Sequence, residues 1–240
     1  MKIGKVKMIV ITLTELFVKF RILCGGIFLK TNIIYNDYFE NNRLSDELVW
    51  FCEPKEWFID KSSSQLVIQT DENTDYWKKT HYGFEADNGH FLYRETNKNF
   101  RLTAKVKTKP KSRYDQAGLM LRFSEDIWIK TSLEYIPNGL SKLGAVVTNR
   151  GYSDWSSQNV DYNNEYLFFR LSRIGQNVYV DFSSNGTEWN QIRIAHLDMP
   201  ENSLVKAGLY ACSPQGKDQE VRFDFIEIEE LSNDPQEAYL

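Results

Sequence analysis

The sequence predicts an all-β fold, a sandwich or barrel of antiparallel strands, and three observations carry that prediction. Short apolar runs with period-2 alternation recur along residues 38–230, separated by turn residues at close spacing. Aromatic residues make up 14% of the chain, with 15 Phe, 13 Tyr and 6 Trp, a bias toward sheets. No long stretch of 3.6-residue period lies inside that region. At 240 residues the chain is long enough for one large β domain with a two-layer core.

Taken in order, the chain starts differently from how it continues. Six Lys/Arg and one acid among the first 35 residues give +5 there and −9 over the remainder, for a net charge of −4. Residues 8–29 are apolar after a basic start, as in a signal peptide or anchor, but Glu15, Lys19 and Arg21 interrupt them. No membrane span is expected. Residues 1–33 are read as an extension, 34–232 as the domain and 233–240 as a tail. Residues 48–51 and 57–59 are short apolar runs, and 65–70 form a strand. Asp75, Tyr76 and Trp77 sit in a polar loop with Lys78, Lys79 and His81. Residues 90–93 and 100–108 are further strands, the second setting Leu102, Ala104 and Val106 against Thr103, Lys105 and Lys107. After the central strands, residues 166–173, 178–182 and 192–197 continue the meander, and 204–211 and 220–229 close it. Asn185-Gly186 supplies the turn between 178–182 and 192–197, as a type I′ turn with positive φ.

The centre of the chain is residues 116–155. Gln116 to Phe123 and Ile127 to Tyr135 are antiparallel strands, Asn138-Gly139 is a hairpin turn, and 143–149 pairs back. In the middle strand Ile127, Ile129, Thr131, Leu133 and Tyr135 share one face, and Trp128, Lys130, Ser132 and Glu134 the other. One apolar face suffices to hold a sheet on its core, so the mixed aromatic and ionic row marks where function is expected.

Several motifs in matching order add to this. Asp75-Tyr76-Trp77, Tyr114-Asp115-Gln116-Ala117-Gly118-Leu119-Met120 and Trp128-Ile129-Lys130 with Glu134-Tyr135 are followed by Val146-Val147-Thr148-Asn149, Tyr152-Ser153-Asp154-Trp155 and Cys212-Ser213-Pro214. Over about residues 36–230 the chain resembles the family of uncharacterised domains that includes the yeast regulation-of-enolase protein, in the concanavalin A-like lectin/glucanase superfamily. The resemblance implies a jelly-roll sandwich of two antiparallel sheets, one concave, and superfamily relatives often bind or cleave sugars on the concave sheet. Function inferred from fold is analogy. The basic, apolar N-terminus departs from the family pattern.

The chemistry that follows is that of a carbohydrate site. Trp77, Trp128 and Trp155 can form a platform for the apolar C–H faces of sugar rings, or can fill a core with their polar tips at its margin. Lys130 and Glu134, four apart on one strand, are about 13 Å apart and cannot pair directly. Each needs another partner, a cross-strand residue such as Arg122 or a ligand hydroxyl. Glu134 becomes an acid/base candidate if burial by Trp128 and Tyr135 raises its pKa. A glycosidase needs a second carboxylate, for which Asp154 and Asp115 are available. The Glu-x-Asp-x-x-Glu strand signature of related glucanases is absent, which weighs against catalysis. Gln116 offers an amide to hydroxyls, and Asp115 either joins it or caps the turn. Arg170 and Arg193 either bind an acidic ligand or brace Glu134 or Asp154.

Net charge argues against nucleic acid, and the three scattered cysteines and three histidines support neither a zinc site nor a disulfide framework. No metal and no cofactor is expected, and reduced thiols place the protein in the cytoplasm. The reading is a carbohydrate-recognising domain with Trp77, Gln116, Lys130, Glu134, Asp154 and Trp155 around its concave face. The alternatives are a sugar-modifying hydrolase using Glu134, and a regulatory protein that binds a metabolic enzyme.

Overall fold

The computed structural model describes residues 32–161, 163 and 165–240, so the basic apolar stretch of residues 1–31 lies outside the described residues. The chain runs through β1 (Asn32–Asp37), β2 (Val49–Phe51), β3 (Glu56–Asp60), β4 (Gln65–Gln69), β5 (Tyr76–Trp77) and β6 (Ala86–Asp87). Then come β7 (His90–Thr96), β8 (Phe100–Lys109), β9 (Gln116–Ser124), β10 (Ile127–Glu134), β11 (Ser141–Asn149) and β12 (Tyr152–Val160). The last elements are β13 (Leu167–Ile174), β14 (Asn177–Ser183), β15 (Asn190–His196), β16 (Val205–Cys212), β17 (Glu220–Glu230) and a 3-10 turn (Pro235–Tyr239).

Two antiparallel sheets form a jelly-roll sandwich. One has the order β15-β14-β13-β8-β17-β4-β3, with β1 also paired to β17; the other has the order β12-β11-β10-β9-β16-β7-β2. Alternation fixes which face each strand buries. In β8, Phe100, Leu102, Ala104 and Val106 are buried and the residues between them are half-exposed. They meet Leu119, Leu121, Ile129 and Leu133 from the facing sheet in one core. The inward set of the middle strand is therefore the aliphatic one, as its parity predicts.

Both faces of the seven-stranded sheet are covered along much of its length, which alternation in a single strand does not reveal. Residues 71–90, carrying the two-stranded β5–β6 ladder, lie across the face away from the sandwich core. Tyr76 and Trp77 of this segment pack with Phe91, Met120, Trp128, Val146, Tyr210 and Cys212 as a second core. Gly89 is required here, because a Cβ would stand 2.4 Å from the Tyr76 ring and 2.5 Å from Cys212 Sγ. The covering segment is tied down by ions. Arg122 holds Asp87 with two parallel bonds of 2.5 and 2.7 Å, and bidentate geometry makes this a strong tether. Asp75, Tyr76 and Trp77 are thus the start of a lid on a second core rather than a free polar loop.

The first strand begins at Asn32 and pairs with β17. One expectation about the chain path is corrected. The Ser183–Thr187 turn is not type I′: Gly186 takes φ +76° but Asn185 does not take a positive φ. Side chains close that turn instead, with Ser183 Oγ accepting from the amides of Asn185 and Gly186.

Candidate functional site

Strand register decides which of the sequence-derived residues share a face. Lys130 pairs with Met120 and Val146, Ser132 with Gly118 and Gly144, and Glu134 with Gln116 and Lys142. Trp155 stands opposite Val146. Paired residues point the same way, so Gln116, Lys130, Glu134 and Trp155 all lie on the face away from the sandwich core, and Trp77 packs on that face from β5. Asp154 does not join them. Residues 152–160 form a strand, so Asp154 and Trp155 face opposite ways. Asp154 stands opposite Val147, on the core side of the edge strand, and its carboxylate takes a 2.9 Å bond from Arg193 of the other sheet. Arg193 braces Asp154, and Arg170 pairs with Asp181.

The face divides into a closed end, where the rings are buried, and a more open end marked by half-buried Glu134 and Trp155. At the closed end Trp128 is fully buried, with Tyr76 edge-on to it and its indole N–H donating to Glu125 O. Trp77 is 8% exposed and donates to Thr80 O. The expected three-indole platform is corrected accordingly: Trp128 and Trp77 fill the second core, and Trp155 alone remains half-buried. Arg122 is held by Asp87, so it does not serve Glu134.

At the open end the polar side chains order one another. Lys130, 4% exposed, donates to Asp75 Oδ1 at 3.2 Å and to Gln116 Oε1 at 3.0 Å. Gln116 Oε1 also accepts from Tyr210 OH at 3.1 Å, and Gln116 Nε2 donates to Tyr114 O at 3.2 Å. Tyr114 holds φ +71°, a conformation that bulky residues rarely adopt and that concentrates at functional sites. The partner of Lys130 is thus Asp75 of the covering segment, a contact across 55 positions that no local pattern signals. Tyr210 was likewise missed, being one apolar-looking position in a closing strand.

Glu134 differs from its neighbours. Burial pushes its pKa up to about 7, and the Asp75 carboxylate adds to the rise while Lys130 and Lys142 oppose it. Among the described residues, none donates a hydrogen bond or an ion pair to its carboxyl group. Of the two partner carboxylates considered for it, Asp154 faces the other way and Asp115 caps a turn, accepting from the amides of Lys111 and Ser112. Beside Glu134 the sheet carries small residues, Ser132 flanked by Gly118 and Gly144, and all three are buried. A Cβ on Gly144 would stand 2.9 Å from Trp155 Cη2, so the indole lies across that glycine. Among the described residues, no group of three or more His, Cys, Asp or Glu could hold a metal ion.

Comparison with known proteins gives the following matches. The model of a family described as "Protein of unknown function (DUF1349)" matches residues 50–231. Regulation of enolase protein 1 of Saccharomyces cerevisiae is 34% identical over 184 residues, 77% of this chain and 89% of that protein. The crystal structure of a functionally unknown protein from Saccharomyces cerevisiae superposes with a TM-score of 0.70 at 31% identity, covering 78% of this chain and 97% of that one. The GH43 protein BlXynB from Bacillus licheniformis superposes with a TM-score of 0.64 at 16% identity, over 82% of this chain and 39% of that one. That last likeness is one of fold alone.

Proposed function

We propose, from the premise that this chain belongs to the DUF1349 family of proteins of unknown function, that it binds a carbohydrate on the open end of its seven-stranded sheet without turning it over. The observation that carries this reading is the pairing of an indole laid across Gly144 with a half-buried carboxyl group that no described residue satisfies. A sugar ring presents an apolar C–H face to an indole and hydroxyls around its rim. A carboxyl group pushed up to about 7 keeps part of its protonated form near neutrality, and that form is both donor and acceptor, which matches a hydroxyl. Gln116 and Lys130 bond to each other and to Tyr114, Tyr210 and Asp75 rather than reaching outward. Turnover is disfavoured because glycoside hydrolysis needs two carboxyl groups across the bond, and Asp75, the other acid near Glu134, is ion-paired to Lys130. Free Cys52 and Cys212 support a reducing, cytoplasmic setting.

The test is a glycan-array and titration screen of the full chain beside Trp155→Ala and Glu134→Gln. Binding lost in Trp155→Ala, and kept or weakened in Glu134→Gln with intact ligand, supports recognition without catalysis. An absence of binding to any glycan removes the reading, and cleaved ligand replaces it with the hydrolase.

A second reading, a regulator that binds a metabolic enzyme, has the name of the yeast relative in its favour. The exposed Val49 and Phe58, on the outermost strands of the two sheets, offer an apolar contact for it. Titration with purified enolase, repeated with Phe58→Asp, tests that reading independently of any sugar.

A further inference from the structure

The segment that closes the second core ends in rings that the site above does not use. Tyr82 is 60% exposed, Phe84 46% and Tyr152 61%. Tyr82 stacks on Phe84, with centroids 6.2 Å apart and planes 27° apart, and leans on Trp77 at 5.2 Å. Lys79 Nζ lies 5.4 Å from the Tyr152 ring centre. Single exposed rings need no explanation on a soluble domain, but a contiguous group of them marks a contact surface. The backbone beneath is held in the left-handed region at Lys79 (φ +45°), His81 (φ +64°) and Gly83 (φ +71°). Two tight turns fix it there, Thr80 N–H donating to Lys78 O and Tyr82 N–H to Thr80 O. Conformations of this kind persist where the surroundings impose them, often at ligand sites.

The rings are joined to the sheet through β12. Lys78 N–H donates to Ser153 Oγ at 2.9 Å, and Ser153 N–H returns a 3.1 Å bond to Lys78 O. This docks the base of the tip on β12, the strand whose Trp155 lies two positions further on. Trp155 packs against the second core that Trp77 helps to form, and Tyr82 and then Phe84 follow on from Trp77. The tip lies toward the Trp128 end of the sheet, where Lys79 Nζ lies beside Gly151. Glu134 stands at the other end of β10, six residues from Trp128, about 20 Å at the rise of a strand.

We propose that the ligand is an extended oligosaccharide, seated at one end on Glu134 and Trp155 and stacked at the other on Tyr82 and Phe84. This proposal rests on the carbohydrate reading above. It is tested by titrating the full chain with matched disaccharides and hexasaccharides of four series: β-1,4-glucose, β-1,4-xylose, β-1,4-N-acetylglucosamine and α-1,4-glucose. The expected result is that in the series bound, the hexasaccharide binds about tenfold more tightly than the disaccharide, the scale of one or two stacked rings. Tyr82→Ala/Phe84→Ala removes that gain and leaves disaccharide affinity within about twofold, a retained binding that also reports an intact fold. Equal affinity for short and long members, or a hexasaccharide affinity that survives the double substitution, overturns the extended ligand while leaving the shorter site standing. No binding to any member overturns both. Self-association in sedimentation that the double substitution abolishes assigns the rings to a second copy of the chain instead.

Discussion

Glu134 shows how one residue's surroundings set its chemistry. Its carboxyl group, ordinarily near 4.5, is pushed up to about 7 by burial, against the pull of Lys130 and Lys142. The folded value lies above the unfolded one, so the stability it contributes is fully present below about 4.5 and is lost as pH rises through about 7. Glu134→Gln is therefore expected to match the parent at pH 4.5 and to exceed it at pH 8 by on the order of 2 kcal/mol, read from urea unfolding at the two pH values. A stability difference that does not change with pH contradicts the buried carboxyl group. The sequence carried part of this: four-residue spacing placed Lys130 and Glu134 on one face and excluded a direct pair. It did not carry Asp154, whose direction depends on whether residues 152–155 are strand or loop. In a strand, adjacent residues cannot face the same site, and Asp154 was lost to the other side for that reason.

Among the elements, the segment of residues 71–90 is the least legible from sequence and the most consequential for the site. The strands were read from alternation, which is a local property; a segment that lies across a sheet has no period of its own. Its two ionic tethers, Arg122–Asp87 and Lys130–Asp75, join residues far apart in sequence. Removing one partner of such a pair leaves a buried charge, which costs more than the pair contributes. Asp87→Ala is expected to cost about 2 kcal/mol and Arg122→Met/Asp87→Ala less, since the double change removes the stranded charge as well. Urea midpoints of the two variants check this. A double variant weaker than the single one by the sum of both losses contradicts the tether.

At the scale of the whole molecule, the fold is a sandwich with a second, smaller core on one outer face. Adjacent residues of β9 sample the two cores, Leu119 the one between the sheets and Met120 the one beneath the covering segment. Both are fully buried. Truncation of either to Ala is expected to cost about 2–5 kcal/mol in one cooperative transition. If the outer face were an ordinary solvated sheet face, Met120→Ala would fall within about 0.5 kcal/mol of the parent. The architecture itself was legible because many short alternating strands admit few packings other than a sandwich or barrel. The second core was not, because Tyr76, Trp128 and Tyr210 look alike in sequence whether they face ligand, solvent or protein.

The most direct measurement is a 1H–15N spectrum of the six Trp indole N–H groups during titration with a bound glycan. The account predicts that the Trp155 signal moves first and furthest, that the buried Trp128 signal stays, and that Trp155→Ala abolishes the response. Shifts centred on Trp57 or Trp189, or a response that survives Trp155→Ala, contradict a ligand on the open end of the seven-stranded sheet.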